Sequence, residues 1–404
     1  MNKIVSAGNR GKDIRSDCYV EFEPTTSGSV SITLQSKVSA LYGNAIKKLI
    51  HQVLDHFDIA NARVFLEDSG ALDFVIAARL ESAIKQSFET DKNFLLPVIE
   101  ENRGTFSKDS FRFSRLYLPG NSPKLMLNAG IHHPNGVILD LEDSVAPSRK
   151  FEATLLVRNA LRSVNFYGAE KMVRINQGSR GLEDLHHIIP HQVDHLLIPK
   201  CESAEDIRQV NETILQIKEK EKNNRAVWLM PIIESAKGVL NAYQIATAAD
   251  NVAALAIGLE DYTADIGTRR TDEGRESFFA RSMVVNAARA AGIQPIDSVF
   301  SDVNDMAALA KTVRESKALG FDGMGCIHPR QIEVIHENFA PEKEEIEKAK
   351  LIVAAFREAE AKGLGVVSLG SKMIDPPVVK RAQKTIQMAI ETGKLKRNWD
   401  KDPE

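Results

Sequence analysis

The sequence predicts an α/β protein: a TIM (β/α)8 barrel preceded by a small α+β domain and followed by a C-terminal helical extension. The first observation is that eight short apolar runs alternate with helical or polar segments over about 220 residues. The second is an N-terminal stretch with strand and helix patterns of its own. The third is that no GxGxxG turn follows the first run of the repeat, which disfavours a doubly wound open sheet.

The small domain is predicted over residues 1–90. Apolar residues recur at helical spacing from Ile46 to Phe57, and a second helix is predicted from Leu72 to Gln86. Three further segments have the composition of strands, and in one of them apolar and small polar residues alternate. These strands are Cys18–Glu23, Ser29–Gln35 and Arg63–Leu66.

The barrel is predicted over residues 111–340. A linker at 91–110 precedes it, because the apolar pattern is lost there and Pro97 and Gly104 stand among charged residues. The eight apolar runs are the predicted barrel strands: Leu116–Leu118, Val137–Leu141, Met172–Ile175, His195–Ile198, Val227–Ile233, Ala253–Ile257, Gln294–Val299 and Gly323–Ile327.

Residues 341–404 are predicted to form a helical extension. One helix includes the apolar face from Ile346 to Phe356, and Gly363 is predicted to end it. A last helix is predicted from Val378 to Gly393.

Composition excludes several classes of protein. Hydrophobic residues make up 43% and charged residues 26% of the 404 positions, which is typical of a globular protein. The net charge is −3 and the Lys and Arg residues are scattered, so we expect no nucleic-acid partner. No apolar run reaches the ~20 residues of a membrane span, and no secretory signal begins the chain. Cys18, Cys201 and Cys326 stand far apart, which predicts neither disulfides nor a zinc site and favours the cytoplasm.

Polar residues follow nearly every predicted barrel strand. The carboxyl ends of barrel strands form the catalytic face, so these residues are the candidates for a site. Each carboxylate alone has an ordinary alternative role as a helix N-cap, Asp143 and Asp261 included. Convergence of so many groups on one face favours a site instead. The strand ends are Asp140 to Asp143, Arg174 to Asn176, Pro199-Lys200, Glu234-Ser235, Glu260-Asp261, Asp297 and His328-Pro329.

The chemistry of this set favours a hard metal ion. It contains carboxylates, Arg and Lys but no Cys/His cluster, which suits Mg²⁺ or Mn²⁺ and an anionic, oxygen-rich substrate. Glu234 and Asp261, on neighbouring strands, are the predicted ligands of a Mg²⁺ ion that keeps positions open for substrate. Arg174 is expected to bind a carboxylate or a developing enolate oxygen.

Seven motifs in this region resemble the citrate lyase β-subunit and citramalyl/malyl-CoA lyase (HpcH/HpaI aldolase) family. The resemblance covers residues 113–389, and the motifs agree in order and spacing. They are VILDLEDSV (137–145), MVRIN (172–176), IIES (232–235), IGLEDY (257–262), ARSMVVNAARAAGIQPIDSVFSD (280–302), GFDGMGCIHPRQI (320–332) and GLGVVSLGSKMID (363–375).

The resemblance implies roles for individual residues. Glu234 and Asp261 would coordinate Mg²⁺, and Arg174 would contact the thioester or enolate oxygen. Asp375, from the extension of a neighbouring subunit, would protonate the enolate in an oligomer that is a trimer or a multiple of one. The residues implied to line the substrate pocket or to lie near the thioester arm are Glu142, Asp143, Asn176, His328 and Gln331.

The first ninety residues resemble a second family, the acyl-carrier (γ) subunit of citrate lyase. The segments SALYGNAIKKLIHQVLDHF and DSGALDFVIAARLESAI carry this resemblance. Carrier subunits bear a phosphopantetheine-like arm on a serine near the N-terminus. Without gaps Arg15 takes the place of that serine, and a shift of one residue brings Ser16 there. Ser16 is therefore the candidate attachment site; the alternative is an unmodified domain and a barrel that uses free CoA thioesters.

The function expected from the resemblance is Mg²⁺-dependent C–C cleavage of a citryl-type thioester into an acetyl thioester and an oxo acid such as oxaloacetate. One alternative is a lyase for free malyl- or citramalyl-CoA, or catalysis in the direction of synthesis. Another is a non-catalytic carrier or assembly subunit, which the presence of Arg174, Glu234, Asp261 and Asp375 disfavours. The expected partners are the acyl thioester, further copies of the chain and a citrate lyase α-subunit, with no membrane association.

Overall fold

The structure, a computed structural model, describes residues 4–361, 367–369 and 372–400. It contains a closed barrel of eight parallel strands, a four-stranded N-terminal sheet and C-terminal helices, which confirms the predicted fold class. Within these residues, no helix is both long and apolar enough to cross a membrane.

The N-terminal unit packs two helices on one sheet. Its strand order is β1-β2-β4-β3, in which β3 and β4 are parallel and the other pairs antiparallel. The elements are β1 (Val5–Gly8), β2 (Cys18–Pro24), β3 (Val30–Ser36), α1 (Ser39–His56), β4 (Ala62–Asp68) and α2 (Asp73–Ser87).

Two features of this unit differ from the prediction. The four-residue strand β1 was not predicted, because a run this short has no readable alternation and is defined by its pairing with β2. Helix α1 begins at Ser39 and not near Ile46, because its first turn exposes Leu41 and Tyr42 and so lacks the buried stripe that marks the rest.

The barrel strands follow one another in sequence order around a closed sheet, as predicted. Parallel strands place all their carboxyl ends on one face, which positions the candidate residues together. The strands are β5 (Ser114–Pro119), β6 (Gly136–Asp140), β7 (Glu170–Arg174), β8 (His195–Ile198), β9 (Trp228–Ile233), β10 (Ala254–Ile257), β11 (Gln294–Asp297) and β12 (Gly323–Cys326).

Helices surround the barrel and bury its outer face in one large apolar core. They are α3 (Pro123–Asn128), α4 (Lys150–Ser163), α5 (Gly178–Ile188), α6 (Ala204–Glu221), α7 (Ala236–Leu240), α8 (Ala242–Ala246), α9 (Leu259–Asp265), α10 (Arg275–Ala290), α11 (Met306–Leu319) and α12 (Arg330–Phe339). The interior holds a separate small cluster: Ile138, Met172, Leu197, Met230, Ile232, Ala254, Ala256 and Ile296.

The N-terminal unit is joined to the barrel by buried ion pairs. Arg79 on α2 contacts Asp17 at 2.9 Å and Glu152 of α4 at 3.5 Å. Arg158 of α4 contacts Glu81 of α2 at 2.6 Å, and both side chains are fully buried. Breaking one partner of such a pair costs about 3–5 kcal/mol. These contacts therefore hold the two units in a fixed arrangement.

The predicted linker is irregular and lies against the barrel. It contains one 3-10 turn at Glu100–Asn102. Asn102 donates from Nδ2 to the carbonyl oxygens of Leu161 and Val164 at 3.0 and 2.8 Å. Trp228 donates from Nε1 to the Phe106 carbonyl oxygen at 2.8 Å. The segment is thus anchored along its length.

The C-terminal extension consists of α13 (Lys343–Ala361), a short hairpin of β13 (Val367–Leu369) and β14 (Lys372–Ile374), and α14 (Pro376–Glu391). The two helices pack on each other through an apolar cluster that includes Val353 and Ile386. Gly363, predicted to end the first helix, lies outside the described residues. The last helix begins two residues before the predicted Val378 and ends two before Gly393.

Candidate active site

A cavity of about 510 Å³ opens at the carboxyl ends of the barrel strands. Four of the candidate site residues line it: Asp143, Arg174, Glu234 and Asp261. They come from β6 to β10, where the polypeptide leaves each strand for the following loop or helix. The closed parallel sheet therefore brings together residues that are up to 118 positions apart in the chain.

Arg174, the last residue of β7, is clamped by carboxylates. Its Nε and Nη2 donate to the two oxygens of Asp140 at 2.6 and 2.8 Å. Its Nη1 lies 2.9 Å from Glu142 and 3.4 Å from Asp143. Burial by itself lowers the pKa of Arg174, but the hydrogen bonds and charge of Asp140 outweigh it and raise the pKa above its ordinary value. The guanidinium is a fixed positive charge at the cavity wall.

Glu234 follows β9 and is almost completely buried. Burial, opposed by a 2.9 Å hydrogen bond from the Lys200 backbone N–H, raises the pKa of Glu234 to about 7. The charges of Asp261 and Glu142 raise this pKa further. A Cβ at Gly258 would lie 2.4 Å from the Glu234 Oε1, so glycine after β10 makes room for this carboxylate.

Asp261 and Asp143 are the more exposed acids of the group, and Lys200 lies between them. The Lys200 Nζ is 3.6 Å from Asp261, 3.8 Å from Glu142 and 3.9 Å from Asp143. Burial lowers the pKa of Lys200, but the charges of Asp143 and Asp261 outweigh it and the pKa is raised. Lys200 has a left-handed backbone with a φ of 51°, which directs its N–H to Glu234.

The electrostatics of this group fit a divalent cation. Five carboxylates face two cationic side chains: Asp140, Glu142, Asp143, Glu234 and Asp261 against Arg174 and Lys200. Among the described residues, no three His, Cys, Asp or Glu side chains converge as a metal cluster. Glu234 and Asp261 both line the cavity, and the charge of Asp261 acts on Glu234. Two carboxylates would suit an ion such as Mg²⁺ that retains several other oxygen ligands.

Two of the predicted pocket residues lie behind the cavity wall. Glu142 is buried and engaged by Arg174 and by the Gln177 Nε2 at 2.6 Å. Asn176 donates from Nδ2 to Asp184 at 2.7 Å and accepts from the Lys150 ammonium through Oδ1. All the polar groups of the Asn176 side chain are thus engaged inside the protein. This geometry makes Asn176 a residue that orders the loop after β7.

His328 and Gln331 also lie outside the cavity lining. Gln331 is fully buried, accepts from the N–H groups of Ile327 and His328 and donates to the Phe300 carbonyl oxygen at 2.9 Å. It therefore joins the loops that follow β11 and β12. His328 is half-buried and accepts from the Arg330 N–H through Nδ1. The predicted contact of both residues with a thioester arm remains a prediction.

Neither Asp375 nor Ser16 lines the cavity. Asp375 is exposed, caps α14 by accepting from the Val378 N–H and does not line the cavity. Ser16 is half-buried in the N-terminal unit, where its N–H donates to the Ser69 carbonyl oxygen at 2.9 Å. The proposed roles of both residues remain predictions.

The family model for HpcH/HpaI aldolase/citrate lyase matches residues 114–329, from the first residue of β5 to the residue before α12. The chain belongs to this family. A family model of an acyl carrier protein, malonate decarboxylase delta subunit (MdcD), matches residues 7–87. The predicted combination of a lyase-family barrel with a carrier-like domain is thereby confirmed.

Curated relatives in the family include lyases with different substrates. Citrate lyase subunit beta from Haemophilus influenzae is 41% identical over 282 residues, covering 69% of this chain and 97% of the relative. Mitochondrial citramalyl-CoA lyase from Homo sapiens is 35% identical over 286 residues, covering 68% and 84%. This places the protein among C–C lyases.

A solved structure of the same family is protein CitE from Mycobacterium tuberculosis in complex with magnesium, acetoacetate and coenzyme A. It superimposes with a TM-score of 0.56 at 28% identity and covers 70% of this chain and 99% of that one. This similarity supports the barrel architecture described above for the present chain.

Among the cavity-lining residues, Asp140, Arg115 and Tyr117 had no role assigned from the sequence. The same holds for Lys200, whose Nζ lies 3.6 Å from Asp261. Asp140 and Lys200 stood at strand ends in the sequence, but no pattern distinguished them from solvated loop charges. Arg115 and Tyr117 alternate along β5 and point into the barrel. The alternation of side chains along a strand could have shown that these two residues share one face. Which face points into the barrel depends on the strand register.

Proposed function

We propose that the protein is a Mg²⁺-dependent lyase that cleaves the C–C bond of a 3-hydroxy-3-carboxyacyl thioester, such as citryl-CoA, into acetyl-CoA and a 2-oxo acid. The observation that carries the proposal is the pair of acids Glu234 and Asp261 in one cavity with the clamped Arg174. The surplus of carboxylates and the raised pKa of Glu234 support a bound cation there.

Glu234 and Asp261 would hold the ion. Bound there, Mg²⁺ would supply Lewis-acid charge that polarises oxygen groups of the substrate. Arg174 contributes a second positive charge on the same wall. Its carboxylate clamp restricts the guanidinium to one orientation, so the charge is preorganised when enolate character develops.

The reaction breaks the bond between C2 and C3 of the acyl chain. The C3 hydroxyl loses its proton to a base, and its oxygen becomes the carbonyl oxygen of the 2-oxo acid. The bonding electrons pass to C2, which forms the thioester enolate beside Arg174. Protonation of C2 then gives the acetyl thioester, and Asp375 of a neighbouring subunit is the proposed acid.

The thioester is proposed to be free CoA. A carrier must leave one site to visit another, and the Arg79–Glu152 and Arg158–Glu81 ion pairs to α4 oppose such movement of the N-terminal unit. Citramalyl-CoA is the second candidate substrate, and the citramalyl-CoA lyase relative favours it. The trimer, the α-subunit partner, the cytoplasmic location and the direction of the reaction remain predictions.

Turnover of citryl-CoA, citramalyl-CoA and malyl-CoA with and without Mg²⁺ tests the proposal. Glu234→Gln keeps an acceptor for the Lys200 N–H but removes the metal-binding charge. Loss of a ligand to a catalytic metal should lower kcat/KM about a thousandfold or more. The matched control is Glu23→Gln, whose carboxylate pairs with Arg63 at 3.1 Å in the N-terminal unit.

Two results would contradict the proposal in different ways. Absence of Mg²⁺-dependent cleavage of all three thioesters by the wild-type protein would exclude the lyase function. Wild-type turnover by Glu234→Gln would leave that function standing and exclude Glu234 as a ligand. Calorimetric titration with Mg²⁺ gives an independent measure of the same assignment.

A further inference from the structure

Arg115 is a buried cation inside the barrel that lacks a carboxylate partner. It lies on β5, and 1% of its surface is exposed. Its Nη1 donates to the Met230 thioether sulfur at 2.8 Å, a weak acceptor. Its Nε has no hydrogen-bond partner among the described residues. Burial lowers the pKa of Arg115 to about 10, so the guanidinium remains charged near neutral pH.

The other fully buried arginines of the described chain are paired. Arg79 contacts Asp17, Arg112 contacts Glu170 and Arg158 contacts Glu81 at 2.6 to 2.9 Å. A desolvated charge is costly unless it is paired and hydrogen-bonded. Arg115 departs from this pattern, so it needs a counter-charge that the described side chains do not supply.

The cavity at the carboxyl ends of the strands extends to Arg115. Two small inward residues, Ala256 and Gly325, line the cavity with Arg115. The strand neighbours of Arg115 in register are Gly136 and Gly325, so no side chain flanks it on the sheet. The unpaired guanidinium therefore faces the space that the substrate enters.

Arg174, the other arginine of the cavity lining, already has carboxylate partners. Asp140 binds it in bidentate fashion, with Glu142 and Asp143 nearby. Tyr117 is two residues from Arg115 on β5, and the Arg174 guanidinium is 5.5 Å from its ring. The interior consequently holds a paired cation near the mouth and an unpaired one deeper inside.

We infer that Arg115 binds a second carboxylate of the substrate, carried by the substituent on C3, and thereby selects citryl-type thioesters. This inference rests on the proposed lyase function. In malyl-, citramalyl- and citryl-CoA the C3 substituent is a hydrogen, a methyl group and a carboxymethyl group respectively. The carboxymethyl group completes an ion pair with Arg115, whereas the other two leave a buried charge unpaired. A site built around a polar partner discriminates strongly against substrates that lack it.

The test compares kcat/KM for the three thioesters in wild-type, Arg115→Met and Arg115→Lys proteins with Mg²⁺. The wild type should prefer citryl-CoA. Arg115→Met should lose about a hundredfold or more on citryl-CoA, as expected for loss of one partner of a buried charge pair. Its kcat/KM for citramalyl-CoA should stay within about tenfold of wild type, because methionine is of similar length and apolar. Arg115→Lys should recover part of the preference.

A binding measurement provides a second readout. Oxaloacetate, which carries the additional carboxylate, should raise the Tm of the Mg²⁺-loaded wild type more than pyruvate does. That difference should disappear in Arg115→Met. The unliganded Arg115→Met protein should melt at the wild-type temperature or above it, since an unpaired buried charge is removed. Arg112→Met, which breaks a paired charge, should lower Tm without changing the order of substrate preference.

Three results would overturn the inference. They are a wild-type preference for citramalyl-CoA, an equal loss on all three thioesters in Arg115→Met, and equal thermal shifts with oxaloacetate and pyruvate. In each case cleavage of any thioester by the wild type leaves the proposed function intact. If the wild-type protein cleaves none of the three thioesters, the proposed lyase function itself is contradicted, together with the role of Arg115.

Discussion

Asp140 and Arg174 form a bidentate ion pair at the ends of two adjacent barrel strands. They are partners in the parallel register of β6 and β7, and their two hydrogen bonds measure 2.6 and 2.8 Å. Because the pairing follows from the strand register, the guanidinium is oriented by the hydrogen-bonded barrel strands. Asp140 is thus a positioning residue for Arg174.

Asp140→Asn should lower kcat about tenfold to a hundredfold, which is typical of the loss of a residue that orients a functional group. KM should change much less, because the substrate-binding charge remains in place. Steady-state kinetics with the preferred thioester measures both. In the Arg174→Lys background, adding Asp140→Asn should lower kcat by a smaller factor than it does in the wild type, since the two residues act as a unit. Strict additivity would contradict the positioning role.

Asp375 should act in the cavity of a neighbouring subunit. In its own chain it caps α14 and is exposed, and the other end of that helix contributes Gln387 and Glu391 to a surface beside Asn135, before β6. That surface lies at the amino ends of the strands, opposite the candidate active site.

Mixing Asp375→Ala chains with Arg174→Ala chains should therefore restore part of the activity that each lacks. Mixed oligomers contain some sites with both residues intact. Turnover is measured after subunit exchange, with mixing checked by native mass spectrometry. If the mixed oligomers remain inactive, Asp375 either acts in the barrel of its own subunit or is not the proton donor.

Ser16 should be unmodified. It has a left-handed backbone with a φ of 57°, and the next residue, Asp17, is held by Arg79 at 2.9 Å and by the Asn9 Nδ2 at 2.8 Å. Intact mass of the protein purified from its native host should equal that of the bare chain. Ser16→Ala should cleave the CoA thioester at the wild-type rate. A prosthetic-group mass that disappears in Ser16→Ala would reverse this prediction.

The carrier test needs the full chain. Deleting residues 1–90 would remove Glu81 and leave Arg158 as an unpaired charge on α4. We expect the truncated barrel to be destabilised by about 3–5 kcal/mol from this loss alone. Low activity of a truncated protein would therefore report on folding and not on a carrier function.

His191 should make stability fall below pH 6.5. Burial, together with the charges of Arg158 and Arg162, lowers the pKa of His191 to about 3. Between about pH 6.5 and 3 the unfolded chain binds a proton that the native protein does not, so the free energy of unfolding decreases as pH falls. One such group contributes about 1.4 kcal/mol per pH unit.

His191→Asn removes this titration and keeps an acceptor near the Arg162 Nη1, which lies 3.1 Å from the His191 Nδ1. Urea unfolding at pH 7.5, 6.5 and 5.5 should give a shallower decrease in the variant. His187, with a pKa lowered to about 4 by burial, contributes a similar slope in both proteins. Identical pH slopes for wild type and variant would show that His191 titrates normally in the folded state.

The sequence by itself determined the eight barrel strands, the carrier-like unit and the presence of Arg174, Glu234 and Asp261 after their strands. Local apolar runs define strands, and in a parallel barrel the end of each strand lies on the same face. The convergence of those three residues therefore followed from their positions along the chain. Their proposed roles came from the family resemblance and await the kinetic tests.

Only the tertiary structure decided which polar residues face the cavity. Asn176 and Gln331 were among the residues that the resemblance implied for the pocket or the thioester arm, and their side chains hydrogen-bond inside the loops. Asp140 and Arg115 face inward because of strand register, which depends on pairing between segments distant in sequence. Whether a charge is paired or left alone depends on contacts of this kind, and a linear pattern does not contain them.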